Sequence, residues 1–159
     1  MNEIALRTIF NQSARDYDQV RPGYPEELIA DAISISGIPE GGRVLEIGCG
    51  TGQATIPFAK RGYSMLCLDI GKDLVALARE NCGAYPKVDI HNLSFEDWNP
   101  KGRLFDLVIS ATAFHWIPAE IGYPKATQVL KTGGYIAFFW HLHPTPYTDF
   151  FRAVQKVGS

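Results

Sequence analysis

The stretch Val44-Leu45-Glu46-Ile47-Gly48-Cys49-Gly50-Thr51-Gly52 constrains the fold of this chain more than any other. A mostly apolar, β-prone run leads into three glycines separated by single residues, and a helical pattern follows over 53–61. Glycine adopts positive φ without a Cβ clash and lets a ligand approach the backbone. The helix N-terminus beyond the turn offers free N–H groups and the positive end of a dipole. The stretch therefore predicts a buried strand, a ligand-binding turn and a helix.

Composition bounds the class of protein. The chain has 159 residues, enough for one domain with a real core, and it is 46% hydrophobic and 20% charged. Its formal net charge is −2 and it has no basic run, which argues against nucleic acid as a partner. We expect no membrane association and a cytoplasmic location, because no secretory signal pattern and no apolar stretch of about 18 residues occurs. The three cysteines, an odd number without metal-ligand spacing, are expected to be free thiols.

Strand and helix patterns alternate from residue 43 onward. Most of the strand patterns are apolar on both sides rather than alternating, as expected when helices cover both faces of a parallel sheet. The order predicts an α/β, doubly wound, Rossmann-like and mostly parallel sheet with right-handed crossovers, preceded by N-terminal helices. The predicted strands are Arg43–Ile47, Ser64–Asp69, 87–91, Phe105–Ser110 and 135–140. The predicted helices include 4–18, a helix that begins at Pro25 and ends at Gly37, and the helices Lys72–Asn81 and 119–130.

We divide this single domain, 1–159, into a helical cap over 1–40, a ligand-binding core over 41–141 and the start of a C-terminal helix over 142–159. The last part follows from a Thr-Pro pair resembling a helix start and from four apolar residues at helical spacing, namely Phe150, Phe151, Val154 and Val157. This apolar stripe needs a covering surface, and the fifth strand lies near a sheet edge. We therefore expect either a chain truncated after strand five or a homodimer partner that covers this region.

The residues around the glycine turn narrow the choice of ligand. Asp69 lies 21 residues after Gly48, close to the spacing of about 20 at which an acidic side chain reaches a ribose diol. The third glycine, Gly52, arrives one residue earlier than in the dinucleotide fingerprint. Glu46 would repel a pyrophosphate and attract an ammonium or sulfonium group. The pattern predicts a ligand with an adenosine ribose, a positive charge and no phosphates, and it disfavours a nicotinamide-dependent oxidoreductase.

At this point the sequence carries a family resemblance. The stretch 44–52 resembles motif I of class I S-adenosylmethionine-dependent methyltransferases, and Asp69 resembles their acidic residue at the end of strand two. Residues 105–116 resemble the motif IV region, and Leu130-Lys131-Thr132-Gly133-Gly134-Tyr135 resembles the turn before strand five, with threonine in place of the usual proline. The N-terminal stretch Tyr17…Arg21-Pro22-Gly23-Tyr24-Pro25 is similar to small-molecule members such as trans-aconitate methyltransferases.

The resemblance implies roles for the matching positions toward S-adenosyl-L-methionine, or toward its product S-adenosylhomocysteine. Asp69 would bind the ribose hydroxyls and Ile70 would pack on the adenine. Ser94-Phe95 stands where many members have an Asp-Ala pair that contacts the adenine amino group, so the ionic part of that contact is absent. The positions that would hold or line the methionine end are Glu46, Gly48, Gly50, Gly52 and Ala111.

Three further candidates carry open alternatives. His115 is the one general-base candidate near the site, and it could equally be a loop residue packed with Trp116. Arg21 could pair with a carboxylate of the methionine or of a substrate, or lie on the surface against a tyrosine. His141 and His143 flank one leucine, but without a further ligand they indicate no metal site.

The resulting hypothesis is methyl transfer from S-adenosylmethionine to a small-molecule acceptor. The first alternative is a catalytically incomplete binding module or fragment, since the chain stops before the C-terminal strands of full family members. The second is an NAD-dependent oxidoreductase. The acceptor is not predictable from these residues.

Overall fold

The computed structural model describes residues 24–110, 117–141 and 150–156. These residues form a six-stranded sheet with helices on both faces. In chain order the elements are α1 Glu26–Ser36, β1 Arg43–Ile47, α2 Thr55–Lys60, β2 Ser64–Asp69, α3 Lys72–Asn81, β3 Val88–Asn92, β4 Phe105–Ser110, α4 Ala119–Val129, β5 Leu130–His141 and β6 Phe150–Lys156.

The strands lie in the order β3-β2-β1-β4-β5-β6. The first five are parallel, and β6 pairs with β5 in the antiparallel direction. The chain winds outward from β1 to β3 and then returns to place β4 on the other side of β1. This reversal creates a switch point at the carboxyl ends of β1 and β4, where open α/β sheets bind their ligands. The predicted α/β doubly wound fold is confirmed.

Two separate cores cover the two faces of the sheet, because successive side chains of a strand point to opposite sides. On β1, Val44 belongs to the first core, whereas Leu45 and Ile47 belong to the second. The first core packs α1, α2 and α3 on the sheet through Leu28, Ile29, Ala32, Phe58, Val75 and Ala78. The second core packs α4 through Tyr123, Ala126 and Val129.

The predicted bounds of β1, β2, β4 and α3 are confirmed residue for residue. Strand β3 is shifted by one residue from the prediction, and α2 begins at Thr55, after the end of the glycine turn. Strand β5 begins at Leu130, five residues earlier than predicted. Its ladder with β4 shifts register after Phe105↔Leu130 and resumes at Leu107↔Tyr135, so the Thr-Gly-Gly stretch forms an irregularity inside the strand.

The prediction of a C-terminal helix is wrong over Phe150–Lys156, which form the strand β6. The pairing runs continuously from Tyr135↔Lys156 to His141↔Phe150. Without it, β5 would present a row of unpaired N–H and C=O groups at the sheet edge. Hydrogen bonding to these groups of β5 favours a strand over 150–156, although the local spacing of apolar residues favours a helix. The homodimer was predicted because the edge of β5 needed a cover, and β6 of the same chain provides that cover.

Several predictions fall outside the described residues. They concern the helices predicted over 4–18 and the candidates Arg21, Ala111, His115 and His143. In the part of the chain that the structure does describe, no helix has the length and apolarity needed to cross a membrane.

Candidate functional site

The glycine turn after β1 has a backbone path that only glycine follows easily. Gly48, Gly50 and Gly52 have φ values of 76°, 57° and 98°, in the left-handed region that side chains rarely occupy. The N–H groups of Gly48 and Cys49 both donate to the carbonyl of Leu68, at 2.7 and 3.1 Å. A Cβ on Gly52 would lie 3.2 Å from Sγ of Cys82. The turn is therefore held against the end of β2, beside α3.

The Asp69 carboxylate fixes this arrangement from the end of β2. One oxygen accepts a hydrogen bond from the Gly50 N–H at 2.8 Å, and the other accepts one from the Gly71 N–H at 2.7 Å. Asp69 is half-buried. An ionised carboxylate offers about four lone-pair sites, so both oxygens retain the capacity to accept a hydroxyl group of a ligand. Asp69 thus supports the turn and keeps acceptor capacity at the switch-point edge of the sheet.

A cavity of about 460 Å³ opens beside Asp69. Its walls come from the carboxyl ends of β1 and β2, from the connection after β3 and from the segment before α4. The lining residues are Ile47, Gly48, Leu68, Asp69, Ile70, Leu93, Ser94, Phe95, Glu96, Asp97 and Ile117. The structure thus brings five predicted site residues together around one space, namely Gly48, Asp69, Ile70, Ser94 and Phe95.

Ile70 is 76% exposed. A large apolar side chain in that position offers a flat ligand a surface on which to pack. The segment 94–97 also lines the cavity, so that the acidic residues Glu96 and Asp97 border it together with Asp69. The cavity therefore combines an apolar surface with three acidic side chains.

The segment 94–98 forms a single hydrogen-bonded turn, which we call the cavity turn. Ser94 Oγ accepts the N–H of Asp97 at 3.0 Å, and the Ser94 carbonyl accepts the N–H of Trp98 at 3.0 Å. The ring of Phe95 stacks on that of Trp98 with centroids 6.1 Å apart, and Phe95 is 2% exposed. Ser94 therefore caps the turn with one lone pair and retains a second lone pair and its O–H.

Glu46 does not line this cavity. It is 1% exposed and shares the Val44 side of β1, whereas the apolar lining of the cavity comes from the Leu45 side. Its carboxyl accepts a hydrogen bond from the Thr55 hydroxyl at the start of α2 and lies 3.8 Å from Sγ of Cys67. Burial raises the pKa of Glu46 to about 7, and the hydrogen bonds from Thr55 and Cys67 oppose that rise. Among the described residues, the carboxyl is therefore paired with a hydroxyl and a thiol rather than with a cation.

The three cysteines are free thiols, as predicted, and all three are buried. A hydrogen bond with Cys49 and burial raise the pKa of Cys67 well above its ordinary value. Within the described residues, no group of three His, Cys, Asp or Glu side chains is arranged to hold a metal ion.

Sequence reasoning missed six of the described cavity residues, namely Glu96, Asp97, Leu93, Ile117, Ile47 and Leu68. The signal for the first three was available, since they follow a parallel strand whose carboxyl end meets the same edge as Asp69. Ile117 could not be assigned in this way, because it lies at the entry to α4 rather than at a strand end.

The methyltransferase domain family matches residues 44–134. The chain belongs to this methyltransferase family. The match covers more than half of the chain, from β1 to the irregular part of β5, and thus includes every described cavity residue. Membership places the chain in an enzyme family and makes S-adenosylmethionine the expected cofactor.

Two curated relatives illustrate the match. The chain is 27% identical over 151 residues to a probable S-adenosylmethionine-dependent methyltransferase of Saccharomyces cerevisiae, covering 91% of this chain and 50% of the relative. It is 28% identical over 138 residues to a malonyl-acyl-carrier protein O-methyltransferase of Geobacter sulfurreducens, covering 84% of this chain and 51% of the relative. The chain therefore spans about half the length of the curated relatives it matches.

A solved structure supports the fold. An S-adenosylmethionine-dependent methyltransferase from Clostridium acetobutylicum superposes with a TM-score of 0.65 at 18% identity, over 83% of this chain and 57% of that one. At this identity the likeness shows the fold alone. The names of both curated relatives above are those of methyltransferases.

Proposed function

We propose that this chain binds S-adenosyl-L-methionine in the cavity beside Asp69 and serves methyl transfer to a small-molecule acceptor. The observation that carries the proposal is the convergence of Asp69, Ile70 and the cavity turn on one space at the switch point of the sheet. Family membership supports it, because the matched region contains each of these elements.

The donors and acceptors present fit the nucleoside half of this cofactor. Asp69 retains acceptor sites for the two ribose hydroxyls while its existing bonds hold the carboxylate in place. Ile70 offers an apolar surface for the adenine, and Ser94 retains an acceptor lone pair for its amino group. Gly48 lines the cavity and has no side chain, so a ligand can approach the backbone there. These are the features that a flat base and a diol require.

Charge favours the same ligand class. Asp69, Glu96 and Asp97 border the cavity, and among the described residues that line it there is no lysine or arginine. Phosphates would be repelled by three carboxylates, whereas a cationic ligand is attracted by them. The cavity therefore supports a phosphate-free, positively charged nucleoside better than NAD.

The bound cofactor supplies a methyl group already activated by a sulfonium centre. The task of the protein is to hold an acceptor atom in line with that methyl at a reactive separation of about 3–3.5 Å. We assign the methionine end to the glycine turn, with Gly50 and Gly52, and to Ala111 and Arg21. Glu46 is not part of this assignment, because its carboxyl is buried on the other side of β1 against Thr55. His115 would act as a base where the acceptor must first lose a proton.

We propose a carboxylate as the first acceptor class to examine. The proposal rests on the resemblance of the N-terminal stretch to trans-aconitate methyltransferases and on the relative that methylates malonyl-acyl-carrier protein at oxygen. A screen of S-adenosylmethionine consumption with carboxylates, phenols and amines should show turnover with carboxylates first. Turnover only with phenols or amines would reject this acceptor class.

Binding is the direct test of the cofactor. Isothermal titration calorimetry of the chain with S-adenosylhomocysteine should give a one-to-one isotherm, and fluorescence titration with NADH should give no saturable change. If millimolar S-adenosylhomocysteine gives no heat of binding, the proposal is refuted. Tight NADH binding would restore the oxidoreductase hypothesis.

A further inference from the structure

Lys125 lies on α4, outside the cavity lining, yet its ammonium contacts the back of the cavity turn. Nζ is 2.5 Å from the Phe95 carbonyl oxygen, 3.1 Å from that of Glu96 and 2.5 Å from that of Trp98. A lysine ammonium has three N–H donors. All three can therefore be used on the carbonyls of one turn.

The contacts of Lys125 supply hydrogen-bond donors to carbonyl groups of the cavity turn. Carbonyl groups at the carboxyl end of a helical turn have no partner within the turn and carry partial negative charge. Ser94 caps the amino end of the cavity turn, and Lys125 caps the carbonyl end. Between the two caps lie the backbone and side chains of Phe95, Glu96 and Asp97, which form one wall of the cavity.

Aromatic contacts hold the ammonium in the same place. Nζ lies 5.1 Å from the ring centroid of Phe95 and 5.8 Å from that of Trp98, within the range of cation–π attraction. Partial burial lowers the pKa of Lys125, and the carboxylates of Glu96 and Asp97 oppose that change. The cation therefore has carbonyl, aromatic and anionic partners, all on the 95–98 segment.

We propose that Lys125 is a positioning residue for the nucleoside cavity, fixing the turn 94–98 and joining it to α4. The entry to α4 supplies Ile117 to the same cavity. One ammonium thereby sets the separation of two cavity walls that are not neighbours in the sequence. This inference rests on the proposed binding of an adenosine cofactor.

The geometry also predicts which replacement can restore the effect. Three carbonyls converge on a compact tetrahedral donor, a role that a planar guanidinium reproduces only in part. Lys125→Met keeps the apolar stem and removes the cation. Lys125→Arg keeps the cation and changes the donor arrangement. Lys131→Met is the matched control, because Lys131 pairs with Asp106 at 3.1 Å near the amino end of β4. The cavity lies at the opposite, carboxyl ends of the parallel strands.

The test is calorimetry with two ligands, S-adenosylhomocysteine and 5′-methylthioadenosine, which lacks the amino-acid end. Lys125→Met should raise both dissociation constants by the same factor, about tenfold, if loss of the charged hydrogen bonds loosens the turn. Lys125→Arg should recover part of the affinity, and Lys131→Met should bind like the wild type. If Lys125→Met does not fold, Lys125→Gln provides the same comparison with one polar group retained.

The outcomes separate this inference from the proposed function. Failure of the wild type to bind either ligand rejects the cofactor itself. Wild-type binding with an unchanged affinity in Lys125→Met rejects the role of Lys125 alone. Weakening of S-adenosylhomocysteine without weakening of 5′-methylthioadenosine would also reject it, because the defect would then lie at the amino-acid end. An equal loss in Lys131→Met would indicate a general effect of removing a lysine.

Discussion

The buried carboxyl of Glu46 predicts an unusual dependence of stability on pH. Its pKa rises from an ordinary value of 4.5 to about 7 in the folded protein, chiefly because burial disfavours the charged form. Between these values the folded chain keeps a proton at Glu46 that the unfolded chain has lost. Stability from this group is therefore fully present below about pH 4.5 and is lost as the pH rises through about 7.

The magnitude follows from the same two values. A rise in pKa from 4.5 to about 7 corresponds to about 3 kcal/mol, since one unit is worth about 1.4 kcal/mol. Solvent screening requires no large reduction, because Glu46 is only 1% exposed. Glu46→Gln has nearly the same shape and does not titrate. The difference in unfolding free energy, wild type minus variant, should therefore fall by about 3 kcal/mol between pH 4.5 and pH 8.

Urea unfolding at a series of pH values measures this difference directly. The contributions of the other titrating groups to the unfolding free energy are the same in both proteins and cancel. Glu80→Gln is the control, because it makes the same replacement at an exposed residue of α3. A difference for Glu46→Gln that stays constant from pH 4.5 to pH 8 would refute the reasoning. So would a difference that grows with pH, since it would mean that the folded state favours the charged carboxylate.

Two further predictions concern the turn and its support. Asp69→Ala should weaken S-adenosylhomocysteine binding by a factor of about 5 to 150 in calorimetry, since it removes a charged acceptor worth about 1–3 kcal/mol. The control Asp73→Ala, at an exposed residue four positions away, should bind normally. An unchanged affinity in Asp69→Ala would show that Asp69 does not bind the ribose. Gly52→Ala should lower the unfolding free energy by more than about 1–2 kcal/mol, the cost of left-handed backbone alone, because its new Cβ would also press on Cys82 at 3.2 Å. Gly62→Ala, with φ of 90° and no atom within 4 Å, provides the strain-only comparison in urea unfolding; equal losses at the two glycines would show that the Cys82 contact is unimportant.

Much of the sheet was predictable because its signals are local. Strands β1, β2 and β4 are short apolar runs bounded by turn residues, and α3 has one apolar face, so their bounds followed from sequence. The glycine spacing indicated positive φ at Gly48, Gly50 and Gly52, and all three adopt it. Asp69 was recognisable from its distance along the chain, because strand length and helix length fix where the second strand ends.

The C-terminal strand and the cavity turn were not predictable in the same way. Strand β6 exists because β5 offers unpaired backbone groups, and nothing within residues 150–156 encodes that edge. Local apolar spacing therefore indicated a helix in a segment whose partner decides its conformation. Lys125 gave no signal at all, because its three carbonyl partners lie 27 to 30 residues earlier in the chain.

The sequence by itself determined the doubly wound sheet, the glycine turn and the acidic residue at the end of β2, because each depends on residues that are adjacent or regularly spaced. Only the tertiary structure decided which side of β1 each residue occupies. Alternation of side chains along that strand puts Ile47 at the cavity and turns Glu46 away, toward Thr55. The glycine stretch therefore borders two environments, an acidic, partly apolar cavity on one side of the sheet and a buried carboxyl on the other.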